Sequence, residues 1–157
     1  MRLEYFQMLD GVERIDASGL IVASAQVPAL SPVFEGHFPG LPLMPGVLLL
    51  ETMAQASGYM LLALDGFRRM PFFASCKEAN FRSFVTPGSQ LTVEAQRVHD
   101  GSGYAVTRAL IRREGKSVCD AQLMFRLVDF PTAGLEQHVR NEGRRLGFLA
   151  SPEQPAR

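Results

Sequence analysis

The sequence predicts an α+β fold in which a curved antiparallel β-sheet wraps around one long, buried helix. Three observations predict it. One apolar run with helical start and stop signals spans residues 45–64. The segments on both sides alternate with strand periodicity. Short turn signals rich in glycine separate the later segments. A helix that is apolar nearly all round needs an enclosing layer, and a bent antiparallel sheet is the economical one. With 157 residues, 46% hydrophobic and 20% charged, the chain suits a single domain with a real core.

Leu3, Phe6 and Leu9 have helical spacing and predict a short amphipathic helix over 3–9. Residues 12–15 and 20–27 read as strands around the turn-like stretch 16–19. Residues 28–45 hold too many prolines and glycines for helix or central strand and read as a loop. Pro45 fits the first helical position, where its missing N–H costs nothing, and Asp65-Gly66 ends the helix. Strands follow at 72–81, 91–96, 104–112 and 119–127, with turns at 86–89, 100–103 and 114–116. From residue 130 the periodicity weakens. Residues 1–129 form the expected domain, and 130–157 an appendage with one short helix near 134–148 and a frayed end.

Composition narrows the function. Sixteen basic and sixteen acidic residues cancel, which argues against a general nucleic-acid binder. Cys76 and Cys119 are far apart and in no ligand pattern, so they read as free, mostly buried thiols in a reducing compartment and no metal site is expected. The N-terminus lacks an apolar signal core, and a cytoplasmic location is expected. Residues 47–64 approach the length of a membrane span, but Glu51 inside the run would cost about 3 kcal/mol on insertion, so a span is not expected.

The chemistry concentrates in GHFPGLPLMPGVLLLETMAQASG, residues 36–58. His37 sits in a loop whose glycine and proline neighbours fix the backbone, as a general base requires. The start of the helix at Pro45-Gly46-Val47 offers free N–H groups and the positive end of the helix dipole, able to polarise a carbonyl. Glu51 lies in the apolar run, with Thr52 beside it and Gln55 one turn on. One reading makes Glu51 a core carboxylate satisfied by hydrogen bonds, a partner arginine or a subunit contact. The other makes it a carboxyl group whose burial keeps it protonated near neutral pH. A base, a protonated carboxyl and carbonyl-polarising N–H groups together suit proton abstraction α to a carbonyl with loss of a β-hydroxyl as water. His99 and His138 have no comparable setting and read as surface residues.

This segment closely resembles the active-site motif of FabZ-type (3R)-3-hydroxyacyl-acyl-carrier-protein dehydratases, including the 51 − 37 = 14 residue separation of histidine and glutamate. Residues 79–91, ANFRSFVTPGSQL, resemble a later strand-turn element of that family, and the similarity covers roughly residues 1–128. The resemblance implies a hotdog fold, helix as sausage and sheet as bun, and the formation of trans-2-enoyl thioester in fatty-acid biosynthesis. It implies that His37 takes the C2 proton, that Glu51 protonates the departing hydroxyl, and that the Gly46 N–H holds the thioester carbonyl. Substrate contacts are expected from Gly46, Val47, Gln55, Phe38, Phe72 and Phe73, with Met53 and Phe84 as looser tunnel candidates. Lys77 and Arg82, with Arg68 and Arg69 behind them, are the candidates for meeting an acidic acyl carrier protein. A homodimer is implied as the minimal active unit, with His37 of one chain facing Glu51 of the other, and a hexamer as a trimer of dimers. No metal or organic cofactor is implied. The chain departs from the family in its N-terminal segment, in Ser89 where aspartate is common, and in its extra tail. These departures suggest a specialised paralogue for long acyl chains, such as those of lipid A or another envelope lipid. A hotdog acyl thioesterase and a non-catalytic acyl-binding subunit are the rival readings.

Overall fold

A computed structural model describes residues 1–148. Six strands form one antiparallel sheet: β1 (Gly11–Asp16), β2 (Leu20–Gln26), β3 (Met70–Phe81), β4 (Gln90–Asp100), β5 (Tyr104–Arg113) and β6 (Lys116–Val128). Their spatial order is β1-β2-β4-β5-β6-β3, so β1 and β3 are the edges. Three α-helices accompany the sheet among the described residues: α1 (Pro32–Gly36), α2 (Gly46–Leu64) and α3 (Ala133–Leu146). The α+β hotdog architecture is therefore present, with α2 enclosed by the sheet.

In β2, β4, β5 and β6 apolar residues recur every second position and share the face turned to α2. Ile21, Ala23 and Ala25 on β2, Leu91, Val93 and Ala95 on β4, and Cys119, Ala121, Leu123 and Phe125 on β6 are all buried. Much of this face is alanine, which lets the large side chains Leu49, Met53 and Met60 of α2 approach the sheet closely. Between β5 and β6 the chain reverses through Glu114 (φ 51°) and Gly115 (φ 77°), a two-residue turn whose left-handed pair matches strand twist. The Cys119 thiol is buried, and burial pushes it up to about 12, as befits an inert core sulfur.

Three expectations need revision. Residues 28–45 are not wholly loop, because Pro32–Gly36 is helical; the Ser31 hydroxyl accepts from the Val33 N–H and Pro32 sits at the first helical position. Pro45 is the N-cap of α2 rather than its first residue, with β-like ψ of 136°. The N-terminal helix shrinks to a 3-10 turn at Leu3–Tyr5, closed by pairing of Arg2 with Gln7. The tail helix, expected near 134–148, is α3 at Ala133–Leu146, capped by the Thr132 hydroxyl at its start and Gly147 at its end, and it packs on the rest of the chain. Val139 joins Leu62 and Phe67 in a second apolar cluster, and Leu146 enters the main core. The frayed end expected beyond it lies outside the described residues. α2 is long and apolar enough to cross a membrane, but its buried faces are covered by this sheet and by α3.

Candidate active site

His37 follows directly on α1, and its ring is fixed on two sides. Nδ1 lies 2.9 Å from the carbonyl oxygen of Leu43. A carbonyl oxygen only accepts, so Nδ1 carries a proton, and in the neutral ring Nε2 is the nitrogen with the lone pair, the tautomer a general base needs. The Phe38 ring stacks on the imidazole at 4.0 Å between centroids. The loop closes on itself through Phe38 and Leu41, which exchange backbone hydrogen bonds of 3.0 Å, and through Leu43 N–H to His37 O at 2.8 Å. The prolines and glycines of the motif thus build a frame for one ring.

The same loop delivers the chain to α2. Met44 N–H donates to Val85 O at 2.7 Å, which anchors the residue before Pro45. Among the described residues, neither the Gly46 nor the Val47 N–H has an acceptor, so both donors are available at the positive end of the helix. A Cβ at Gly46 would rest against the Phe81 ring at 3.4 Å, an ordinary contact, so the ring of Phe81 borders this helix start. Val47 is largely exposed, 73%, beside this opening.

Glu51 lies one and a half turns into α2 and is half-buried, not sunk in the core. The apolar residues around it in sequence point elsewhere, because a helix sends successive side chains to different faces. Gln55, one turn later, donates from Nε2 to Glu51 Oε1 at 3.0 Å and to Phe6 O at 2.6 Å. Its Oε1 accepts from the Met8 N–H at 3.1 Å. Gln55 therefore ties the carboxylate to the N-terminal segment. Thr52 turns away and bonds back to Leu48 O at 2.7 Å.

Glu51, Gln55 and Phe73 line one cavity of about 370 Å³ between α2, the N-terminal segment, the β3–β6 edge and α3. His37 is not among its lining residues, so within one chain the cavity by itself does not unite the two. Tyr59 also faces this cavity; burial, and then the Glu142 charge, hold its hydroxyl well above the ordinary tyrosine range, so it stays a neutral phenol.

Other candidates fall in different places. Phe38 is half-exposed at the outer side of the loop. Phe72 is on β3 next to Phe73, exposed and outside the cavity lining. Met53 is fully buried against the sheet, and Phe84 is 73% exposed. Arg82 is ion-paired to Asp120, and Arg68 and Arg69 to Asp65. Lys77 is exposed on β3 without a carboxylate partner among the described residues. Most of the cavity lining escaped the sequence reading, including Tyr59 on α2 and two polar residues of the tail helix. His138 and Glu142 come from α3, and only their helical i, i+4 spacing hinted that they share a face. Among the described residues no group of three or more potential ligands is placed to hold a metal ion.

Comparison with known proteins follows from this geometry. The model of the FabA-like domain family matches residues 2–122. A 3-hydroxyacyl-acyl-carrier-protein dehydratase FabZ of Vibrio cholerae is 41% identical over 123 residues, 75% of this chain and 79% of that protein. The protein of the same name from Symbiobacterium thermophilum is 38% identical over 128 residues, covering 81% and 90%. Among solved structures, a conserved protein of Pseudomonas aeruginosa superposes with TM-score 0.63 at 24% identity, over 80% of this chain and 91% of that one. A hypothetical thioesterase of Streptococcus pneumoniae, solved with coenzyme A, gives 0.62 at 18% identity, over 77% and 87%. At these identities the structural likenesses speak for the fold alone.

Proposed function

The chain belongs to the FabZ dehydratase branch of the FabA-like hotdog family, and on that premise we propose that it removes water from 3-hydroxyacyl thioesters carried on acyl carrier protein. It is a hydro-lyase of fatty-acid biosynthesis, acting in the cytoplasm. The observation that carries this reading is the His37 ring held by Leu43 O, which leaves Nε2 as an oriented base.

The step runs as a balanced elimination. His37 Nε2 takes the C2 proton. The C2–H electron pair becomes the C2=C3 double bond, and the C3–O bond breaks. The hydroxyl leaves as water with the proton of the Glu51 carboxyl. The thioester carbonyl, which gains charge as C2 is deprotonated, is held by the free N–H groups of Gly46 and Val47. Glu51 is placed for its part by Gln55.

The minimal active unit is a homodimer in which His37 of one chain faces Glu51 of the other, assembling further as a trimer of dimers. Two observations support the dimer. The cavity of Glu51 is not lined by His37 of its own chain. Among the described residues β3 pairs only with β6, and it carries Phe72, Phe73 and Phe81, each about two-fifths to one-half exposed. A long edge strand with exposed aromatics is a template for another strand. Lys77 on this strand is the cation most available to an acidic carrier protein. The element outside the family match, α3, supports a specialised substrate range such as long acyl chains.

The test supplies 3-hydroxyacyl-carrier protein and follows enoyl product by mass spectrometry together with free thiol. Enoyl thioester without thiol release is expected. Thiol release without enoyl product would mean a thioesterase. His37→Ala is expected to lose about 10²-fold or more of the rate, and Glu51→Gln a similar amount; parental rates in the first would remove the base from His37.

A further inference from the structure

α3 lies beyond the residues that the family model matches, yet it builds a long wall of the cavity that Glu51 lines. Leu135, His138, Val139 and Glu142 supply that wall, at the i, i+3, i+4, i+7 spacing of one helix face. The facing wall is the Glu51, Gln55, Tyr59 and Leu62 side of α2. Glu142 accepts from Gln7 Nε2 at 3.1 Å, close to the segment that Gln55 holds beside Glu51. Leu135 instead packs with the cluster of Leu62 and Phe67. α3 thus runs back along α2, with Glu142 at the catalytic end and Leu135 at the far end.

The space between them has a direction and a chemistry. From Glu51 to Leu62 there are 62 − 51 = 11 helical residues, about 16 Å, the length of an extended acyl chain of roughly a dozen carbons. The lining also includes Ala54, Leu62, Met70, Pro71 and Phe125, all apolar. α3 is also fixed in place. Arg140 Nη2 donates to Phe67 O at 3.0 Å, both Arg145 amino groups donate to Leu9 O at 3.2 Å, and Phe148 stacks on Tyr59 at 5.6 Å. A wall anchored at both ends imposes a fixed limit rather than opening like a lid.

We propose that α3 is a specificity-determining wall of the acyl site: the acyl chain lies between α2 and α3, and the side chain at position 135 sets the longest chain admitted. This rests on the dehydratase reading above. Leu135→Trp fills the far end and Leu135→Ala enlarges it. Two measurements on the full chain separate the readings. The first is kcat/KM for 3-hydroxyacyl-carrier proteins from four to sixteen carbons. The second is calorimetric binding of saturated acyl-pantetheine thioesters of the same lengths, which needs no turnover. One methylene against an apolar wall is worth about tenfold or more. In Leu135→Trp the long-to-short ratio is expected to fall at least about tenfold, and in Leu135→Ala the optimum is expected to move to longer chains. If the parent dehydrates its substrates but neither variant shifts the profile, α3 is not the wall. If the parent turns over no chain yet the binding limit moves with residue 135, the dehydration reading fails and the wall stands. Binding of no thioester at all overturns both. Circular dichroism identifies a variant that does not fold, and the other variant then decides.

Discussion

Asp65, which ends α2, shows how single charges are placed here. Its carboxylate sits at the negative end of a helix dipole and is mostly buried, both unfavourable to a negative charge. Burial pushes its pKa up, but the hydrogen bond and charge of Arg69, joined by Arg68, outweigh this and hold it below the ordinary value of 3.8. A depressed carboxyl pKa contributes stability that is present above the unfolded value and is lost as pH falls through the folded one. Asp65→Asn is therefore expected to lower Tm by roughly 2 °C at pH 7, with the difference from the parent shrinking toward about pH 3. Thermal melts at the two pH values check it; an equal difference at both would mean that the substitution perturbs packing instead. Residue identity made the proposed pair of His37 and Glu51 legible in the sequence, because a lone histidine among breakers and a lone carboxylate in an apolar run are conspicuous. The depth of Glu51 was not legible. Its neighbours in sequence are apolar, but it bonds to Gln55, which in turn reaches the Phe6 and Met8 backbone.

At the level of elements, the junction of α2 with the sheet is almost wholly apolar, and among the described residues one side-chain hydrogen bond crosses it. Thr107 Oγ1 on β5 donates to Ser57 Oγ on α2 at 2.8 Å, with both residues fully buried. A buried hydroxyl stripped of its partner costs about 1–3 kcal/mol, whereas removing both partners costs much less. Thr107→Val is expected to destabilise by about that amount and Thr107→Val/Ser57→Ala to recover most of it. Denaturant midpoints of the two singles and the double check it; additive losses would show the bond to be incidental. β2, β4, β5 and β6 were legible because period-2 alternation survives in them; β3 also packs on α2 but lacks that alternation, and only its aromatic and apolar start marked it. α1 was not, because Pro32 was counted as a breaker, although after Ser31 it occupies the one helical position that favours proline. α3 was legible as a helix but not as a wall, since where a helix docks depends on long-range packing that its own periodicity does not encode.

For the molecule as a whole, the separation of His37 from the cavity of Glu51 can be tested by mixing. A dimer of one His37→Ala chain and one Glu51→Gln chain keeps one site with both groups intact if the site spans two chains, and none if it lies within one. Each variant alone is expected to be nearly inactive, and co-refolded mixtures to regain roughly a quarter of parental activity. That fraction follows from half the dimers being mixed, each with one of two sites intact, under symmetric assembly. No recovery, with mixed dimers demonstrated by mass, would place the pair in one chain. The hotdog arrangement was legible at this scale because a single apolar helix leaves few other ways to bury itself.

The Gln55 side chain has a further consequence, and it is spectroscopic. Because it holds Glu51 with one end and the Met8 amide with the other, the two share a rigid connection across 43 residues of sequence, 51 − 8. The backbone amide resonance of Met8 is thus a built-in reporter of Glu51. It should shift when an acyl thioester or a proton changes that carboxylate, with no probe attached to the site itself.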